Sequence, residues 1–171
     1  MRTNEAEVAE IMARPWTYPG LPVRDAANLL LLFSSNFSLG VWSCWSIFRQ
    51  DNRFYVRRIE WARGSDRVRV GLEAPTTFGT ESPISAEEAN RLATEAEELI
   101  SREVPAQSKE IRLDGVSRHL LLPARRSGAA RVFWFAGSAE TMRLDAWVEE
   151  SSVTLDNLLT QSTAHRGTSA A

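Results

Sequence analysis

Few residues in this sequence could carry out chemistry, and their spacing keeps them apart. The chain has two histidines, His119 and His165, and one cysteine, Cys44. A catalytic triad needs a nucleophile and a base in hydrogen-bonding contact. On a strand, Ser117 and His119 would share a face, yet side chains at i and i+2 stand too far apart for that contact. We therefore interpret His119 as structural and Cys44 as a buried, inert thiol, and we predict no catalytic residue.

Metal and nucleotide motifs are also missing from the sequence. It contains no pair of cysteines, no HExxH, no GxGxxG and no GxxxxGK[ST]. The adjacent carboxylates Glu87 and Glu88, and likewise Glu149 and Glu150, would point about 100° apart on a helix, which disfavours shared catalysis. The sequence predicts no metal site and no cofactor, and enzymatic activity is kept only as an alternative.

Charge is distributed unevenly along the chain, although the net charge is only −2. Residues 41–72 hold seven arginines and three acidic residues, whereas residues 81–104 and 138–160 carry net charges of −5 and −4. One interpretation is that the arginines line a solvated sheet face or pair with the acidic helices. The other is a recognition surface, because Arg, Tyr and Trp anchor protein interfaces. This second interpretation selects a set of partner-binding residues, called here the arginine platform: Arg49, Arg53, Tyr55, Arg57, Arg58, Trp61, Arg67 and Arg69.

In the first half of the chain, hydrophobic patterning predicts a helix and an antiparallel meander. Residues 4–13 carry a capping box and an apolar stripe. Residues 28–38 fit a buried strand or a helix, and we favour the strand. In the second strand of this meander, the alternation of inward and outward residues is interrupted at Arg57 and Arg58. A β-bulge there would keep the aromatic side chains on both sides of it inward. The strands of the meander, joined by short polar turns, are predicted at residues 41–49, 53–61 and 68–72.

The second half of the chain repeats this order. Residues 75–83 are predicted as a loop, and Ser85 caps an amphipathic helix that Pro105 ends. A second meander follows at residues 111–135, and residues 141–160 carry the apolar stripe of a final helix. Runs of strands separated by helices predict an α+β fold with about six or seven antiparallel strands.

Composition limits the class of protein. The hydrophobic share is 43% and the charged share 25%, as in ordinary globular proteins. We predict one domain over residues 1–161 and a disordered tail over residues 162–171. The N-terminus lacks the apolar run of a signal peptide, and the longest apolar stretch, Leu29–Phe33, is too short to span a bilayer. A soluble, cytoplasmic protein is expected.

These observations favour a non-enzymatic protein-binding module. The element order is similar to that of small secretion chaperones, which also place helices around a curved sheet, and an immunity-type inhibitor of a toxin is the other candidate role. Charge reversal at Arg57 and Arg58 is then expected to leave the fold intact and to abolish partner binding. An exposed edge strand would also allow a homodimer.

Two other functions remain open. Single-stranded nucleic acid could stack on the arginine platform, although the acidic helices and the negative net charge oppose phosphate binding. Alternatively, a sheet curved around the C-terminal helix could enclose a pocket for a small ligand or substrate, lined by Trp42, Cys44, Trp45, Phe54, His119 and Trp134.

Overall fold

One antiparallel sheet organises the part of the chain that the computed structural model describes, which is residues 4–25, 28–36, 40–64, 75–102, 115–125, 128–159 and 165–167. The strand order across this sheet is β6-β5-β1-β2-β3-β4-β7. Its strands are β1 (Asn28–Asn36), β2 (Val41–Gln50), β3 (Arg53–Ala62), β4 (Thr77–Ile84), β5 (Val116–Arg125), β6 (Gly128–Phe135) and β7 (His165–Gly167). The helices are α1 (Asn4–Ala13), α2 (Ala86–Arg102) and α3 (Met142–Leu159). The predicted α+β fold is confirmed.

The central hairpin forms where the sequence places it. Asp51 and Asn52 have φ values of 49° and 61° between β2 and β3. Two successive left-handed residues are the requirement of a tight two-residue hairpin turn, and Asp and Asn tolerate that conformation. β1 is a strand, as favoured from the sequence, and it lies between β2 and β5. Its leucine run does not alternate with polar residues because both faces contact apolar layers: Leu30 and Leu32 are buried on one face, and Leu31 and Phe33 are partly buried on the other.

Two sequence-based predictions about β3 and β4 are wrong. Residues 77–84 form β4, although residues 75–83 are predicted as a loop from their prolines and glycine. Pro83 is tolerated because β7 pairs only with residues 77–79 of β4, which leaves the far end of that strand at the sheet edge. The β-bulge at Arg57 and Arg58 is absent, since β3 pairs with β2 and β4 in unbroken register.

The helix predictions agree with the structure. Ser85 accepts a hydrogen bond from the backbone N–H of Glu88 at 3.1 Å and so caps α2. A short 3-10 turn, Ala139–Thr141, leads into α3. No helix of the described residues combines the length and apolar composition needed to cross a bilayer.

Some predictions fall on residues that the structure does not describe. The predicted strand at 68–72 and the start of the second meander at 111–114 lie outside the described residues. Within the tail, residues 165–167 form β7 against β4. The remainder of the tail, residues 162–164 and 168–171, also lies outside the described residues, so its disorder stays a prediction.

The sheet separates two apolar layers. On one face, α2 and α3 bury a large cluster that includes Leu32, Ile47, Val56 and Trp134. The other face packs against α1 and the loop that follows it, through a smaller cluster composed of Val8, Met12, Tyr18, Cys44, Ile59 and Trp61. This second face is called here the α1 face, and α1 and the loop cover part of it.

Tyr18 fixes the loop after α1 on the sheet. Its side chain is 2% exposed, and its hydroxyl hydrogen-bonds the Thr77 hydroxyl at 3.1 Å. Gly79 of β4 lies directly beneath the ring, because a Cβ added at that position would overlap the ring carbons. The glycine in β4 thus provides the room in which an aromatic side chain packs on the backbone.

Gly79→Ala is expected to lower the free energy of unfolding by about 1–3 kcal/mol, because overpacking forces the Tyr18 ring or the strand to move. Urea denaturation measures this change. The control is the same substitution made in a Tyr18→Ala background, where the added methyl group meets no ring and its additional effect is expected to be near zero. An equal loss in both backgrounds would show that the ring is not the cause.

Candidate functional site

The arginine platform is largely occupied by contacts within the chain. Arg57 is 0% exposed and Trp61 is 1% exposed, so neither faces water as the platform requires. Arg58 forms an ion pair with Asp156 of α3 at 3.0 Å. The Tyr55 ring stacks under the guanidinium of Arg24, whose central carbon lies 3.6 Å from the ring centroid.

The rest of the platform is divided between exposed and undescribed residues. Arg49 is exposed, and it donates a hydrogen bond to the side-chain oxygen of Asn52 at 3.0 Å. Arg53 is exposed as well. Arg67 and Arg69 lie outside the described residues. The expectation of a continuous water-facing row of guanidinium groups is therefore not met within β2 and β3.

Arg57 lies at the centre of a buried charge network. Its Nη2 atom lies 2.6 Å from Oε2 of Glu81. The other carboxylate oxygen, Oε1, lies 2.5 Å from Nη2 of Arg24. The guanidinium further donates to the carbonyl oxygens of Pro15 and Pro22. Burial lowers the pKa of Arg57, and the carboxylate of Glu81 opposes that shift. The hydrogen bond with Glu81 raises the pKa of Arg24. Here the arginine holds the fold together instead of meeting a partner.

The six residues predicted to line one pocket are split between the two faces of the sheet. Trp45, Phe54 and Trp134 belong to the core under α2 and α3. Their positions are fixed there, as in the hydrogen bond from Nε1 of Trp45 to Asp156 at 2.7 Å. The other three lie on the α1 face: Trp42, Cys44 and His119. Successive residues of a strand point to opposite faces of the sheet. Pocket residues that are neighbours in the sequence, such as Cys44 and Trp45, therefore lie on opposite faces.

Among the described residues, the surroundings of Cys44 do not activate its thiol. Its thiol is fully buried, and burial raises its pKa to about 12. The Sγ atom lies 3.5 Å from the carbonyl oxygen of Met12, to which it donates. At neutral pH the group is therefore a protonated thiol, which is a poor nucleophile.

His119 belongs to a row of aromatic rings that crosses the α1 face. Its ring contacts those of Phe33 and Phe133 edge-on, with centroid distances of 5.3 and 4.5 Å. The same edge-on contacts continue from Phe33 to Trp42 on one side and from Phe133 to Phe135 on the other. Phe133 is 39% exposed. The row is partly buried at Trp42, which packs against the cluster under α1, and is exposed at Phe133 on β6.

A groove of about 310 Å³ lies beside this row, between α1 and strands β1, β5 and β6. It is called here the α1 groove. The described residues that line it are apolar apart from His119 and Arg131, and they are Ala9, Met12, Ala13, Leu31, Phe33, His119, Leu120, Leu121 and Arg131. Of the residues predicted for a pocket, His119 alone lines this groove.

Sequence analysis does not identify the other residues that line the groove. The leucine run at residues 29–33 signalled a buried strand, but it did not show that Leu31 and Phe33 would be only partly covered. Arg131 lies outside the basic segment at residues 41–72, so the charge pattern did not select it. Its position opposite Leu121 follows from the pairing of β5 with β6, which is a tertiary feature.

The surroundings of His119 favour the neutral form of its imidazole. Burial lowers its pKa, and the positive charge of Arg131 lowers it further. Neutral imidazole has one donor nitrogen and one acceptor nitrogen. Within the described part of the chain, no group of three or more His, Cys, Asp or Glu side chains is placed to hold a metal ion. The groove thus offers apolar contact, one cation and one neutral imidazole.

Glu81→Gln is expected to lower the free energy of unfolding by about 3–5 kcal/mol, because it leaves two largely buried guanidinium groups without a counter-charge. Glu98→Gln is the matched control, since the 3.9 Å pair of Glu98 with Arg102 is solvent-exposed, and a change of about 0–1 kcal/mol is expected there. Denaturant unfolding measures both. Equal small effects would show that the Glu81 network contributes no more than a surface pair.

This network also changes the expectation for charge reversal at Arg57. A glutamate at that position would face Glu81 in a buried site, so the fold is not expected to stay intact as the sequence suggested. Arg58 is about one-third exposed, so charge reversal there is expected to destabilise the fold less than charge reversal at Arg57.

Comparison with known proteins leaves the groove to be interpreted from its own geometry: no family model, no curated protein and no solved structure matches this chain.

Proposed function

We propose that this protein is a small-ligand-binding domain and that the α1 groove is its binding site. The observation that carries the proposal is the groove itself, about 310 Å³ in volume and lined mainly by apolar side chains around His119 and Arg131. Small-molecule sites typically measure about 300–1,000 Å³ and combine apolar walls with a few polar groups. A titratable group with a shifted pKa inside such a groove adds support.

The apolar contacts favour a compact, largely hydrophobic ligand. Leu31 and Phe33 supply one wall from β1, and Met12 supplies part of the opposite wall from α1. Both strand residues are only partly buried, so a ligand would remove apolar surface from water. The edge-on ring contacts of Phe33 with Trp42 and His119 hold that side chain in place before a ligand arrives.

The neutral fluorescent dye N-phenyl-1-naphthylamine is a direct probe of this site. Saturable binding with enhanced fluorescence is expected, and Ala9→Trp is expected to weaken it by about tenfold or more because an indole at the groove rim occupies the same space. Fluorescence titration measures both affinities.

Ala146→Trp is the matched control, because Ala146 is an exposed alanine on α3, on the opposite side of the sheet. It should leave dye affinity unchanged. Absence of saturable binding to the unmodified protein, or equal loss in the two variants, would refute the groove as the site.

Protein binding at the edge of the sheet is a second candidate function. The backbone N–H of Ala136 donates to the carbonyl of Val116 on β5 at 2.8 Å. Since alternate residues of an antiparallel strand point their backbone groups to the same side, Arg131, Phe133 and Phe135 point theirs away from β5. Within the described residues β6 is an edge strand, and such an edge can accept a strand from a partner.

Random peptides displayed on phage test this second candidate. Selection is expected to enrich peptides with apolar residues at alternate positions, and Phe133→Lys is expected to abolish their binding by removing the exposed ring. No enrichment, or equal capture by the variant, would contradict strand addition at β6. The proposed immunity-protein or secretion-chaperone role, and a homodimer, belong to this candidate and would require such a surface.

A further inference from the structure

The electrostatic character of the α1 groove is positive. Among the described residues that line it, Arg131 alone carries a permanent charge and none carries a carboxylate. Within the described part of the chain, Arg131 has no ion-pair partner, unlike two other arginines of the sheet. Arg58 is paired with Asp156, and Arg118 is paired with Asp145 and Glu149.

The neighbouring histidine does not compensate for this charge. The lowered pKa of His119 keeps its imidazole neutral near pH 7, and the causes of that shift among the described residues are burial and Arg131. A neutral imidazole can donate one hydrogen bond to an acceptor. An anion at the β6 side of the groove would thus meet a guanidinium and a donor-capable ring.

The rest of the groove excludes a fully polar anion such as free phosphate from its interior. Met12, Leu31 and Phe33 form walls that offer no hydrogen bonds from their side chains, and a polar group placed there would lose its hydration without replacement. An apolar group placed there gains from leaving water. The two chemistries of the groove therefore lie side by side, apolar near α1 and cationic near β6.

From this arrangement we infer that the ligand of the α1 groove is a small amphipathic anion, with a hydrophobic chain or ring along Leu31 and Phe33 and a carboxylate or similar head group beside Arg131. The inference rests on the proposed ligand-binding function and adds the chemical class of the ligand. Guanidinium groups bind carboxylates through paired, charge-assisted hydrogen bonds, which fixes the orientation of such a ligand. The groove volume, near the lower limit for small-molecule sites, favours a single chain or ring over a larger lipid.

Three ligands with the same ten-carbon chain separate the contribution of charge from that of hydrophobicity: decanoate, decanol and decyltrimethylammonium. Each is titrated against the protein at pH 8 with bound N-phenyl-1-naphthylamine as the displaced reporter. Decanoate is expected to bind about tenfold more tightly than decanol, and the cation more weakly than either, because a hydrogen-bonded ion pair at the groove rim adds to the same apolar contact. The advantage of decanoate should shrink as salt is raised.

Arg131→Gln is expected to remove the preference for decanoate over decanol, measured as the ratio of the two affinities in that variant. Arg49→Gln is the matched control, because Arg49 is an exposed arginine that does not line the groove. It should change none of the affinities. Circular dichroism and thermal unfolding confirm that both variants are folded.

The outcomes separate the two proposals. Dye binding without a preference for decanoate, or a preference that survives Arg131→Gln, would overturn the anionic ligand class and leave the groove as a binding site. Absence of dye binding would overturn the groove as a ligand site and the ligand class with it.

Discussion

The arrangement of this fold depends on one buried carboxylate that neutralises two guanidinium groups. Glu81 on β4 holds Arg57 from β3 and Arg24 from the loop after α1. An arginine on the inward side of a strand would be strongly unfavourable alone. With Glu81 beside it and the carbonyls of Pro15 and Pro22 each accepting a hydrogen bond from it, the guanidinium joins the loop to the sheet. The irregular segment is thus ordered by charge and hydrogen bonds as well as by its aromatic side chains.

This junction explains why the two faces of the sheet differ. The face under α2 and α3 is covered by two long amphipathic helices and has a continuous core from β6 to β3. The α1 face is covered by a ten-residue helix and a loop that are anchored over β2, β3 and β4. Because α1 and the loop are short, they leave the side chains of Phe33, His119 and Phe133 partly accessible to solvent. The groove lies where the cover formed by α1 ends, over β1, β5 and β6.

The sequence was sufficient for most of the elements and insufficient for the site. Periodicity and capping residues located α1, α2 and α3, and the polar pair Asp51 and Asn52 located the central hairpin, because those signals are local. β4 was missed because its prolines and glycine disfavour a strand, and its tolerance of them depends on the position of that strand in the sheet. The bulge at Arg57 was predicted on the premise that inward positions are apolar. That premise failed because the counter-charge lies twenty-four residues away in sequence.

The complete burial of Cys44 makes it a natural reporter of how α1 detaches from the sheet. Its sulfur lies beneath Met12, and as a fully protonated thiol it is shielded from alkylating reagents while the helix is in place. Modification then requires a transient opening of this layer, so the alkylation rate at low denaturant measures the free energy of that local event separately from global unfolding. A single native cysteine thus permits the kinetics of the layer formed by α1 to be followed without any engineered label.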